Sequence, residues 1–166
     1  NLNEKHVHGF TAVPRVIEKF YDKIMLSGKE LTGVKRNLFD WAVKVGEAYE
    51  DDPAKRTPLY NFKLSIARKL IFSKWKDALG GELKVIISGG AALQPRLAKI
   101  FSAVGISIAQ GYGLSETSPT VSVNHGEYPL MQAGSVGAVI DNVEVKLAED
   151  GEILMRGPSL MVGYYK

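Results

Sequence analysis

The chain has 166 residues, 45% hydrophobic and 23% charged, enough for one ordinary domain with a buried core. Its net charge of +3 is too small to argue for a nucleic-acid partner, and its aromatics fall mainly at core spacing. The absence of cysteine excludes a disulfide framework and a thiolate metal site and fits a reducing, cytoplasmic setting, while no apolar run approaches the ~20 residues of a membrane span.

Asn1–Thr11 carries His6 and His8, too few and too isolated to make a metal site. Pro14 opens a helix on which Val16, Ile17, Phe20, Tyr21, Ile24 and Met25 recur at helical spacing, with Gly28 as its expected end. A second helix is expected from Gly33 to Glu50, burying Leu38, Trp41, Ala42, Val45 and Tyr49, and Asp51–Pro58 reads as loop. The third runs roughly Asn61–Leu79, with Leu64, Ala67, Leu70, Ile71, Trp75 and Leu79 on one side, and Gly80-Gly81 stops it. It also holds Lys63, Arg68, Lys69, Lys74 and Lys76 against Asp77 alone. A solvated outer face is the plainer reading. The sharper one is a surface for anionic partners, either phosphate groups or the acidic headgroups of a peripheral membrane contact.

Leu83–Ile87 is a short branched apolar run, the pattern of a strand buried on both faces. Ser88-Gly89-Gly90 turns the chain, and Pro95 starts a helix with Leu97, Ala98, Ile100 and Phe101 as its stripe. Gly105 fits the position just past that helix, and Ile106–Gln110 reads as a second strand. Gly111-Tyr112-Gly113-Leu114-Ser115-Glu116-Thr117 is expected to leave it as a loop. Two parallel strands joined by a helix put both glycine segments at the carboxyl edge of one sheet, where open α/β sheets bind ligands. Further on, Thr120–Val123 alternates polar and apolar, and Val143, Val145 and Leu147 alternate up to a turn at Asp150-Gly151. Glu152–Arg156 then alternates back as a hairpin.

The expected class is α/β: a partial doubly wound sheet with a βαβ core at 81–135, helices over 1–80, and the start of an antiparallel β-subdomain at 136–166. The ends at Asn1 and Lys166 suggest an internal stretch of a longer chain. Uncovered strand edges and apolar faces are then expected, with self-association as one way to cover them.

No GxxxxGK[ST] loop is present, and Gly111-Tyr112-Gly113 lacks the third glycine of a dinucleotide fingerprint because Glu116 stands there. What remains is a dense polar loop. Tyr112 offers a ring to stack on a purine, Ser115 and Thr117 offer hydroxyls to phosphate oxygens, and the lone carboxylate of Glu116 suits Mg²⁺. Each also has a plain account as core tyrosine, turn hydroxyl or exposed glutamate, so the residues alone leave a phosphate site and a structural loop evenly open.

SGGAAL at 88–93 followed by QGYGLSETSP at 110–119 resembles the adenylate-forming (AMP-binding) superfamily, and GEILMRGPSLMVGYYK at 151–166 resembles its next motif. VPRVIEK at 13–19 and LIFSKWKDALGG at 70–81 are similar to its long-chain fatty acid–CoA ligase branch. The resemblance implies that Gly89, Gly90 and Ala91 line an adenine pocket and that Tyr112 packs on the ring. It implies that Ser115 bonds the α-phosphate, that Glu116 holds Mg²⁺, and that Gln110, Gly111 and Gly113, with Thr117 beside them, border the adenylate. The implied chemistry joins a fatty acid to ATP as an acyl-adenylate and then to CoA as a thioester. The family's upstream phosphate loop, its ribose-binding aspartate and its adenylation lysine are not among these 166 residues. Two rivals stay open: another adenylate-forming enzyme, for short-chain or aryl acids or a peptide-synthetase adenylation domain, and a non-catalytic nucleotide-binding module.

Overall fold

The computed structural model describes residues 7–126, 129 and 131–165; His6 and Lys166 lie outside them. Its elements are β1 (Gly9–Ala12), α1 (Pro14–Lys29), α2 (Gly33–Glu47), α3 (Pro58–Ala67), a π-helical segment (Arg68–Phe72) and α4 (Ser73–Ala78). They continue as β2 (Val85–Ser88), α5 (Pro95–Val104), β3 (Ser107–Gly113), β4 (Thr120–Val123), β5 (Ala138–Val139), β6 (Glu144–Leu147) and β7 (Ile153–Arg156). Proline begins α1, α3 and α5, where its missing N–H costs nothing. Gly105, at φ +94°, closes α5 as its position in the sequence suggests.

One sheet has the order β1-β2-β3-β4-β5, its first three strands parallel and the last two antiparallel. The βαβ core and the hairpin β6–β7 stand where the sequence put them, whereas α2 stops at Glu47, short of the expected Glu50, and α3 already starts at Pro58, inside the stretch read as loop. β1 is an addition: four residues too short to show a period, paired in register with β2. The five-stranded sheet also reaches Val139, past the boundary expected after residue 135, so the separate hairpin begins only at Glu144.

The core joins Ile86 and Ile108 of the sheet to Ile17, Ala42 and Phe101 of the helices. Ile87 points to the other face and is 46% exposed, so β2 is buried on one face and not on both. Gly28 does not end α1, which runs on to Lys29. It is buried, and a Cβ there would collide with the Phe39 ring, so it serves the close approach of α1 to α2.

The stretch read as one regular helix is interrupted. Across Arg68–Phe72 the turn widens, which rotates the chain relative to a 3.6-residue period. Leu70, assigned to the core by periodicity, is 43% exposed, and Phe72 is 1% exposed in its place. On α2, Phe39 is buried where Leu38 and Trp41 are only partly so, and its ring lies 5.6 Å from that of Trp75.

With Ile87 uncovered and β1 an edge strand, the 166-residue chain by itself is expected to bind a hydrophobic dye and to self-associate. Light scattering over a dilution series checks this. A dye-silent monomer would mean that the chain covers its own open face.

Candidate functional site

The parallel register aligns Ala12, Ser88 and Gln110 at the carboxyl ends of β1, β2 and β3. Beyond that row the structure departs from the reading of a loop. Gly111-Tyr112-Gly113 remains in β3, changing its partner from β2 to the antiparallel β4: Gly111 pairs with Val123, Tyr112 with Ser122, and Gly113 with Thr120. Once β2 has turned away, the backbone groups of β3 still need partners, and β4 supplies them.

A bulge falls between Tyr112 and Gly113, and a Cβ on Gly113 would run into the Pro119 carbonyl. Gly111 is less constrained, with the nearest atom to a Cβ, the Ser122 carbonyl oxygen, at 3.6 Å. Neither glycine has a positive φ, so close backbone approach rather than a tight turn explains Gly113. Gly113→Ala is therefore expected to cost about 1–3 kcal/mol by overpacking and to displace the following loop, whereas Gly111→Ala is near neutral for folding. Thermal denaturation of the two variants checks the contrast, and equal midpoints would refute it.

The following loop is one short turn of 3₁₀ helix, Ser115–Thr117. Thr117 is fully buried, and its hydroxyl accepts from the Leu114 N–H at 2.9 Å while facing the carbonyls of Leu114 and Pro119 at 2.9 and 2.7 Å. Its hydroxyl thus ties the loop together, while that of Ser115 is exposed and makes no hydrogen bond among the described residues. Between them Glu116 turns its carboxylate outward. The Tyr164 hydroxyl donates to Glu116 Oε1, and the Met161 N–H donates to the Glu116 carbonyl at 2.8 Å, fastening the chain beyond β7 over the loop. The phenol's hydrogen bond holds the Glu116 carboxyl below its ordinary range and in turn raises Tyr164.

On the neighbouring strand end, Gly90 has φ +82° and lies exposed with Ala91. Gly89 is close enough to β3 that a Cβ would stand 3.9 Å from the Gly111 carbonyl oxygen. Ser88 is completely buried and its Oγ has no hydrogen-bond partner among the described residues, while Gln110 is 6% exposed. Asn124, also buried, gives its N–H to the Gln110 carbonyl at 2.8 Å and exchanges two side-chain hydrogen bonds with the Gln132 backbone.

The fold thus sets the segments at 89–91 and 110–117 on adjacent strand ends, as an open shelf. Two cavities lie elsewhere. One of about 350 Å³ is bordered by Tyr49, Arg56 and Ser107, and another of about 410 Å³ lies between α1, α2 and α4. Sequence reasoning missed Tyr164, Met161 and Asn124. Their parts depend on contacts, 48 residues long for Tyr164–Glu116, that no local spacing encodes. Among the described residues no group of three or more His, Cys, Asp or Glu side chains gathers that could hold a metal ion.

A family model described as AMP-binding enzyme matches residues 1–165. The chain is 31% identical over 157 residues to the long-chain-fatty-acid–CoA ligase FadD15 of Mycobacterium bovis, covering 93% of this chain and 26% of that protein. It is 32% identical over 171 residues to long chain acyl-CoA synthetase 3 of Arabidopsis thaliana, covering 95% and 25%. It therefore spans about a quarter of the length of these curated relatives. Among solved structures, the N-terminal domain of FACL13 from Mycobacterium tuberculosis aligns over 98% of this chain and 31% of its own at a TM-score of 0.53 and 20% identity. The o-succinylbenzoate CoA synthetase of Bacillus subtilis, solved with an acyl-adenylate intermediate, aligns over 98% and 25% at 0.54 and 17%. Both show the same fold.

Proposed function

The chain belongs to the adenylate-forming AMP-binding enzyme family, and on that premise we propose that its shelf is the adenine and phosphate wall of an AMP-forming long-chain fatty acid–CoA ligase. The observation that carries this reading is the outward carboxylate of Glu116, its pKa lowered by the Tyr164 phenol, next to the unengaged hydroxyl of Ser115 at a parallel-sheet edge. The long-chain acid as substrate rests on the names of the curated relatives.

Gly89, Gly90 and Ala91 offer a bare backbone surface for the adenine, and the ring of Tyr112 stacks on it. Ser115 donates to the α-phosphate. Gln110, Gly111 and Gly113 form the floor beneath the adenylate, and Thr117 keeps the loop in shape instead of meeting ligand. A single outward carboxylate fits Mg²⁺, which takes one or two protein carboxylates and completes its shell with phosphates and water. Bound there, Mg²⁺ supplies charge neutralisation as a carboxylate anion approaches a polyphosphate. This chain's residues align the reactants: the shelf fixes the nucleotide while the acyl carboxylate attacks the α-phosphorus and pyrophosphate leaves. The CoA thiol then attacks the acyl carbonyl and AMP leaves.

Acid-dependent ATP–pyrophosphate exchange by the whole protein tests this, with a panel of long-chain, short-chain and aryl acids. Fastest exchange with long-chain acids is expected. A preference for aryl or short acids would move the protein to another branch of the family, and no exchange with any acid would favour a non-catalytic nucleotide module. The 166 residues alone are expected to release no AMP from ATP, palmitate and CoA, because the family's Ser/Thr/Gly-rich phosphate loop with its lysine and the family's adenylation lysine are not among them. AMP release by the purified chain would show that the shelf suffices.

A further inference from the structure

We propose that the outer side of the segment from Leu59 to Lys74 docks on a bilayer surface bearing anionic headgroups. The observation is a second apolar stripe where a helix of a globular protein normally turns charge to water. On α3 the inward stripe is Leu64 and Ala67, both buried. On the opposite side Leu59 and Phe62 are 63% and 64% exposed, and Ile66, half-buried, follows at helical spacing. One turn on, Leu70 stands exposed because the π segment rotates Phe72 into the core in its stead. Leu70 also lines the apolar cavity of about 410 Å³ together with Ile71 and Trp75, and two exposed lysines, Lys35 and Lys74, belong to the same lining. The stripe thus runs into an apolar recess edged by cations.

Charge selects the occupant. Lys63, Lys69 and Lys74 are exposed and make no ion pair among the described residues, and Asp77 is the single acid between residues 58 and 78. Arg68 is the exception, spent on the Ala103 carbonyl at 2.8 Å. A phosphate ligand alone would leave Phe62 and Leu59 in water, and a second copy of this chain set face to face would oppose lysine to lysine. An anionic bilayer satisfies both features, with apolar side chains in the acyl boundary and lysines at headgroup level. No described helix is long and apolar enough to cross a membrane. None of these residues belongs to the nucleotide shelf, and the inference stands independently of the reaction assigned to it.

The test is co-sedimentation of the whole protein with vesicles of phosphatidylcholine alone and of phosphatidylcholine mixed with phosphatidylglycerol. Binding to the mixed vesicles, weakened by salt, is expected. F62E/L70E should lower it about tenfold or more, and K63E/K69E should lower it on the mixed vesicles only. Thermal midpoints are read in parallel and are expected to match wild type, because these side chains face solvent. No binding by wild type, equal binding to both vesicles, or unchanged binding by either variant overturns the proposal. So does a large fall in the midpoint of F62E/L70E, which would place the stripe beneath another part of the protein.

Discussion

Replacing Glu116 by Gln in the whole protein is expected to slow acyl-adenylate formation by about 100-fold or more while changing ATP affinity by only a few-fold. The amide keeps the shape of the side chain and an oxygen that still accepts from Tyr164, so the fastening of the loop survives. What disappears is the negative charge, and with it the ability to hold a divalent cation against the phosphates. That charge is worth most when the α-phosphorus is crowded by oxygens and pyrophosphate is leaving, so the loss falls on the rate rather than on ground-state binding. Exchange kinetics at saturating Mg²⁺ beside a nucleotide titration separate the two. Equal rates for wild type and variant would remove Glu116 from the reaction.

The same carboxylate gives a pH signature. Its pKa is depressed, chiefly by the Tyr164 phenol, so Glu116 stays ionised until the pH falls below the usual carboxylate range. Tyr164→Phe removes that hydrogen bond, lets the pKa rise, and should move the acidic limb of the rate profile to higher pH. An unmoved limb would mean that another group controls it.

The largest expected effect on stability is that of Phe72→Ala, about 3–5 kcal/mol. Phe72 is 1% exposed, its ring lies 5.2 Å from that of Trp75, and a Cβ on Gly46 of α2 would stand only 3.3 Å from its tip. Truncation opens a cavity where α2 meets the π segment, with little slack for collapse. Leu70→Ala, two residues earlier, is expected to cost less than about 1 kcal/mol in water because that side chain is already exposed. Chemical denaturation of both variants decides it. A costly Leu70 and a mild Phe72 would mean a regular helix in place of the π segment.

Much of the architecture was legible because it is written locally. Pro14, Pro95 and Gly105 mark helix ends through φ alone, Leu97, Ala98, Ile100 and Phe101 mark a helix face, and Asp150-Gly151 marks a hairpin. The ordered motifs at 88–93, 110–119 and 151–166 identify the family, which follows from residue types at spacing and needs no coordinates.

Other features depended on which distant surfaces meet. Gly111-Tyr112-Gly113 reads as a loop by composition, but β4 arrives to pair with it, and a strand needs only a partner to form there. Periodicity put Leu70 inside and overlooked Phe72, because one widened turn changes the period on which the reading depends. Ile87 looks like a residue buried on both sides, since an apolar run states only that burial is affordable and not that a layer lies over it. Glu116 was visible from its motif, yet the Tyr164 phenol that donates to it and lowers its pKa was not. A contact across 48 residues is set by where β7 delivers the chain, and that is decided by tertiary packing alone.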